Sequence, residues 1–154
     1  MDTRRSELIE NVRKALRDKN TERDILQAAA ELIDGFSERF NWTGFYMMRG
    51  ELLEVGPYIG PVTEHVRIEL NKGICGAAAS QKKTIVVDDV NADPRFLACS
   101  LTTRSEIVVP LMDGATCLGE IDIDSDSPSA FNDDDRTMLE AVAALVVERL
   151  KEIK

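Results

Sequence analysis

The sequence predicts an α+β fold: a central antiparallel sheet of about six strands, with N- and C-terminal helices on one face and a pocket on the other. Three observations predict it. Helical periodicity is concentrated at the two ends of the chain. The middle breaks into short apolar runs separated by Gly, Pro, Asn and Asp. One of those runs, near residue 120, alternates apolar with acidic side chains, as a strand does between a core and a polar site.

Leu8, Ile9, Val12, Ala15 and Leu16 recur at helical spacing and define a first amphipathic helix. Thr21 then offers a hydroxyl cap for a second helix, whose apolar face runs Ile25, Leu26, Ala29, Leu32, Ile33, Phe36 and Phe40 and predicts an end near residue 40. A strand over 42–48, a turn at Arg49-Gly50 and a partner strand over 51–55 follow, with Gly56-Pro57 predicted to break the pair. Residues 66–68 read as a short strand, 73–80 as a small-residue helix carrying Cys75, and 84–87 as another strand. The 88–104 stretch reads as a long loop or irregular helix holding Cys99. Segments 106–111 and 116–123 make a second hairpin across Asp113-Gly114. Period two turns Cys117, Gly119, Ile121 and Ile123 one way and Leu118, Glu120, Asp122 and Asp124 the other. Asn132 to Asp135 supply acids for the N-terminus of a closing helix carrying Met138, Leu139, Val142, Leu145, Val146, Leu150 and Ile153.

At 154 residues the chain fits one domain over 1–154. A domain of that size buries roughly 68–70% of its unfolded surface and needs no disulfide staples. A composition of 44% apolar and 31% charged residues is that of an ordinary soluble protein. The net charge of −9 argues against nucleic acid or an anionic membrane as partner. The N-terminus lacks the apolar core of a signal peptide, and no apolar run approaches a membrane span. The expected location is therefore cytoplasmic, where thiols stay reduced and a disulfide is catalytic or sensing.

Cys75 and Cys99 are followed by Glu106 and the pair Asp122-x-Asp124. One thiol that attacks, a second that closes a disulfide, and carboxylates nearby would make a compact redox site. Plainer readings stand beside this one. Cys75 can be a small buried residue, and Cys117, in step with Ile121 and Ile123, reads as core packing. Trp42 and Tyr46 suit a core as well as a pocket wall. Asp122-x-Asp124-x-Asp126 fails the calcium-loop pattern because Ser127 and Asp133 stand where Gly and Glu are required. His65 has no ligand-spaced partner and reads as a plain strand residue, so no metal site is expected.

Seven stretches then occur in one order: Asn-Trp-Thr-Gly-Phe-Tyr (41–46), Gly-Pro-Tyr-x-Gly (56–60), Val-Arg-Ile (66–68), Gly-x-Cys-Gly (73–76), Ala-Cys (98–99), Ser-Glu-Ile-Val-Val-Pro-Leu (105–111) and Asp-Ile-Asp-Ser (122–125). Together they resemble the GAF-domain free methionine-(R)-sulfoxide reductases. The resemblance implies a GAF-like fold and thiol-dependent reduction of free methionine (R)-sulfoxide. It implies Cys99 as nucleophile, Cys75 as the resolving thiol that closes a disulfide, and thioredoxin as external reductant, with no bound cofactor. It assigns Glu106, Asp122 and Asp124 to the substrate ammonium and to proton delivery, and Trp42 and Tyr46 to the walls around the methylthio end. The pattern departs at His65, where many members carry a further cysteine, at Ser100, where Asp is usual, and at Arg104. These departures bear on substrate preference, and the first leaves resolution to Cys75 alone.

Two other functions fit the same fold: a GAF module that binds a small effector and regulates through dimerisation, and a thiol redox sensor that does not turn over. A homodimer is also expected, on the argument that Leu8, Val12 or Leu16 retain apolar surface for a second copy.

Overall fold

The computed structural model describes residues 1–96 and 101–154, so the expected nucleophile Cys99 and the departure at Ser100 lie outside the described residues. The described residues form four α-helices: α1 (Thr3–Leu16), α2 (Glu22–Asp34), α3 (Gly73–Gln81) and α4 (Asp133–Glu152). The strands are β1 (Trp42–Arg49), β2 (Leu52–Ile59), β3 (Arg67–Glu69), β4 (Ile85–Val87), β5 (Ser105–Asp113) and β6 (Thr116–Ser125). They form one six-stranded sheet in the order β3-β2-β1-β6-β5-β4, and every neighbouring pair is antiparallel. This is the α+β architecture the periodicities predict.

The helix starts follow their local chemistry. Thr21 Oγ1 accepts the Asp24 N–H and opens α2. Asn132 and Asp135 exchange side-chain and backbone hydrogen bonds in a capping box that opens α4. Asp135 also receives Arg5 of α1 at 2.7 Å, pinning the first helix to the last.

One face of the sheet packs against α2 and α4, and α1 lies on those two helices. Phe45, Met47, Ile107, Val109, Leu111, Ile121 and Ile123 meet Ile25, Leu26, Met138, Leu139 and Val142 there. On the opposite face α3 covers a smaller cluster of Trp42, Tyr46, Leu53, Ile68, Ile74, Cys75 and Val108. Adjacent residues of the same strands divide between the two clusters, as the pleat requires.

Several sequence expectations are corrected. Helix α2 stops at Asp34, with the Gly35 N–H bonded back to Glu31. Phe36 and Phe40 lie beyond it, and Phe40 packs on Phe131 at 5.5 Å, so their apolar character marks core rather than helix. Gly56-Pro57 does not end β2, which runs to Ile59. The β1–β2 register shifts between Gly44 and Tyr46, leaving Gly56 and Pro57 outside the ladder, where a missing proline N–H costs no strand hydrogen bond. A second register shift beside Leu118 undoes the assignment of Cys117: Leu118 packs against the helix-side core and Cys117 against the α3-side cluster. His65 lies in the loop before β3, not on a strand. Leu8, Val12 and Leu16 are buried within the chain, which removes the surface on which the homodimer was argued. Among the described residues no helix is long and apolar enough to cross a membrane.

Candidate functional site

The site is built on three adjacent strands. On β6, Glu120, Asp122 and Asp124 share the face opposite Ile121 and Ile123. Their partners across β1 are Tyr46, Gly44 and Trp42 respectively. Across β5, Asp124 stands opposite Glu106. Two aromatic rings therefore flank a glycine along one side of an acidic row. A side chain at Gly44 would place its Cβ 2.4 Å from that of Tyr58 and 2.8 Å from the Trp42 ring, so the glycine is what lets these two rings stack at 4.9 Å. Trp42 also stacks on Tyr46 at 6.2 Å.

The polar tips of both rings point into the loop before β3. Trp42 Nε1 donates to the Pro61 carbonyl at 3.1 Å, and the Tyr46 hydroxyl donates to the His65 carbonyl at 2.8 Å. The rings thus hold the loop that lies over the site.

Cys75 comes from α3 as its third residue. A Cβ at the following Gly76 would meet the Glu69 carbonyl at 2.6 Å, so only glycine lets the helix start press this close to β3 and lower the cysteine onto the sheet. Its Sγ donates to Glu106 Oε2 across 4.0 Å. Single ligand atoms from Cys75, Glu106 and Asp122 all fall within 4.8 Å of one another. Beside them is a cavity of about 10 Å3, lined by Tyr46, His65, Ile68, Cys75, Glu106 and Asp122 and large enough for roughly one water. A larger recess of about 240 Å3 opens next to Asp124 and is lined by Asn41, Trp42, Pro61, Thr102, Thr103 and Asp126.

The electrostatics of the site are dominated by buried acids. Glu106, Glu120, Asp122 and Asp124 are at most 5% exposed. Among the described residues, both carboxylate oxygens of Glu120, both of Asp124 and Oδ1 of Asp122 have no hydrogen-bond partner. Burial, followed by the charge of Asp122, pushes the Glu120 and Asp124 carboxyls well above the usual carboxylate range. Burial raises Asp122 too, while Glu106 and Cys75 beside it pull back. The Cys75 thiol is pushed well above its ordinary value by burial first, then by Asp122, Glu120 and Glu106. Its place in the first turn of α3 opposes that rise. Such a cluster favours the protonated carboxylic acid and the un-ionised thiol over their charged forms.

Of the residues singled out in the sequence, the structure gathers Cys75, Glu106, Asp122, Asp124, Trp42 and Tyr46 on one face. Arg104 is exposed. Glu120, Tyr58 and Thr103 were not assigned to the site by sequence. The alternation on β6 already placed Glu120 on the acidic face, but nothing distinguished a buried acid from a solvated one.

The GAF domain family matches residues 23–150 of the chain. A free methionine-R-sulfoxide reductase of Saccharomyces cerevisiae is 44% identical over 111 residues, which is 69% of this chain and 61% of the yeast protein. The solved type II free methionine-R-sulfoxide reductase of Thermoplasma acidophilum is 36% identical with a TM-score of 0.82, covering 86% of this chain and 94% of that one. The Neisseria meningitidis free methionine-R-sulfoxide reductase, solved in complex with its substrate, is 31% identical with a TM-score of 0.91, covering 98% of this chain and 92% of that one.

Proposed function

Because the chain belongs to the GAF domain family, and within it to the free methionine-R-sulfoxide reductases, we propose that it reduces free methionine (R)-sulfoxide to methionine, with its own thiols as the electron source. The observation that carries this reading is the Cys75 thiol held among Glu106, Glu120, Asp122 and Asp124, all buried, beneath Trp42 and Tyr46. Sulfoxide reduction needs a proton at the departing oxygen and a thiol to receive that oxygen. Carboxyls raised by burial supply the first.

In the first step the Cys99 thiol attacks the substrate sulfur. The substrate S–O bond breaks, an S–O bond forms on cysteine, and methionine leaves behind a Cys99 sulfenic acid. Asp124 and its neighbours lend the proton that assists transfer. In the second step the Cys75 thiol displaces that oxygen as water and forms the Cys75–Cys99 disulfide. A thioredoxin dithiol then returns both cysteines to the reduced state by exchange. His65, where many members carry a cysteine, has no sulfur to offer, so resolution falls to Cys75.

The free amino acid is favoured because its ammonium is the natural counter-ion for an acidic row. Bound there, it stabilises ionised carboxyls on one side while the methylthio end lies along Trp42 and Tyr46. The recess beside Asp124 and Trp42 supports this orientation.

A thioredoxin-coupled assay on free methionine sulfoxide tests the reading. Cys99→Ser is expected to lose turnover with the fold intact. Cys75→Ser is expected to release about one methionine per chain and then stall. Full activity in Cys99→Ser would end the assignment of the nucleophile. Sustained cycling in Cys75→Ser would remove Cys75 from the resolving role.

A further inference from the structure

We propose that the reduced protein takes up a thiophilic divalent cation, of which Zn2+ is the type, between Cys75 Sγ, Glu106 and Asp122. The three ligand atoms lie within 4.8 Å of one another, and Sγ and Oε2 of Glu106 are 4.0 Å apart. Tetrahedral coordination at ordinary zinc–sulfur and zinc–oxygen lengths asks for roughly 3.5 Å between ligand atoms, a closure of about 0.5 Å to at most about 1.3 Å. Asp122 Oδ1 is buried with no hydrogen-bond partner among the described residues. The adjoining cavity of about 10 Å3 has room for one water as a further ligand.

The donor set argues for a soft cation. A thiolate with two carboxylates suits zinc, whereas magnesium and calcium want an all-oxygen shell. Motif spacing does not disclose such a site, because its ligands come from α3, β5 and β6 and form no short-range pattern.

The consequence for turnover rests on the reductase reading, while the site itself does not. Zinc in this position occupies the seat of the substrate ammonium and withholds Cys75 from the second step. The result is a reversible block that a chelator lifts.

Reduced, chelator-treated protein titrated with Zn2+ against a chromophoric chelator decides the matter. About one Zn2+ per chain is expected at micromolar or lower concentration, and Mg2+ should not compete. Cys75→Ser and Asp122→Asn should each weaken binding at least about tenfold, and Cys117→Ser should leave it unchanged. Should Cys75→Ser fail to fold by circular dichroism, Asp122→Asn carries the comparison. No binding at tens of micromolar zinc, or binding untouched by both variants, overturns the proposal. Metal-free protein that binds zinc as described but never reduces methionine sulfoxide overturns the reductase reading and leaves the metal site standing. Active protein that ignores zinc does the reverse.

Discussion

The two faces of the sheet are made by adjacent residues of the same strands, yet they obey opposite rules. Towards α1, α2 and α4, Ile107, Val109, Ile121 and Ile123 join an apolar core. One residue along, Glu106, Glu120, Asp122 and Asp124 are also buried on the other face, and among the described residues oxygens of Glu120, Asp122 and Asp124 have no hydrogen-bond partner. The first face gains free energy from burial at about 25 cal/mol per Å2 of apolar surface. The second gives some of it back, since burying an unpaired polar group costs on the order of 1–3 kcal/mol. On this reading stability is concentrated on one side and the proposed chemistry on the other, and a pleat of period two keeps them apart.

That division predicts a double dissociation, beginning with its largest effect. Asp124→Asn removes the proposed proton donor and ammonium contact, and its activity on methionine sulfoxide should fall by about 100-fold or more with the fold retained. Leu139→Ala on the helix side should do the opposite. Leu139 is fully buried, so urea denaturation should show a loss of about 2–5 kcal/mol while kcat per folded molecule stays near the original. A stability mutant that also lost kcat would show that the faces are coupled.

A smaller effect concerns pH. The Glu120 carboxyl is raised well above its ordinary value in the folded chain, so between those two values the folded state binds more protons than the unfolded one. The slope of unfolding free energy with pH is then negative, and this contribution to stability is lost as pH rises above the ordinary Glu range through the raised value. Glu120→Gln should flatten that part of the dependence. Urea midpoints for both proteins at mildly acidic and mildly alkaline pH will show it, and parallel curves would mean that Glu120 keeps its ordinary affinity for protons. The smallest effect lies furthest from the acids. Asn132→Ala removes one half of the α4 capping box and should cost about 0.5–2 kcal/mol without altering turnover.

The same contrast explains what was legible in the sequence. The order of helices and strands, the cap at Thr21, the acids that open the last helix and the two-faced character of β6 are local signals, and the structure bears them out. The misreadings sit where an irregularity resets the period. Gly56-Pro57 lies opposite a β1 register shift, and Cys117 lies just before another, so counting by twos fails at both. Phe36 and Phe40 continue an apolar spacing after their helix has ended. Among the site residues, Cys75, Glu106, Asp122 and Asp124 were singled out by motif. Glu120 was not, because its burial depends on α3 folding over the sheet, a long-range fact that no local pattern carries.

The central claim is that the buried acids recognise a free ammonium and deliver a proton. Its most direct measurement is kcat/KM for free methionine (R)-sulfoxide against the N-acetylated, amidated form, in the wild-type protein and in Asp124→Asn. Loss of a buried charge-assisted contact costs about 1.5–3 kcal/mol, so the free amino acid should be preferred by roughly ten- to hundredfold, and the variant should lose most of that preference. Equal kcat/KM on the two substrates in the wild-type protein would contradict the account.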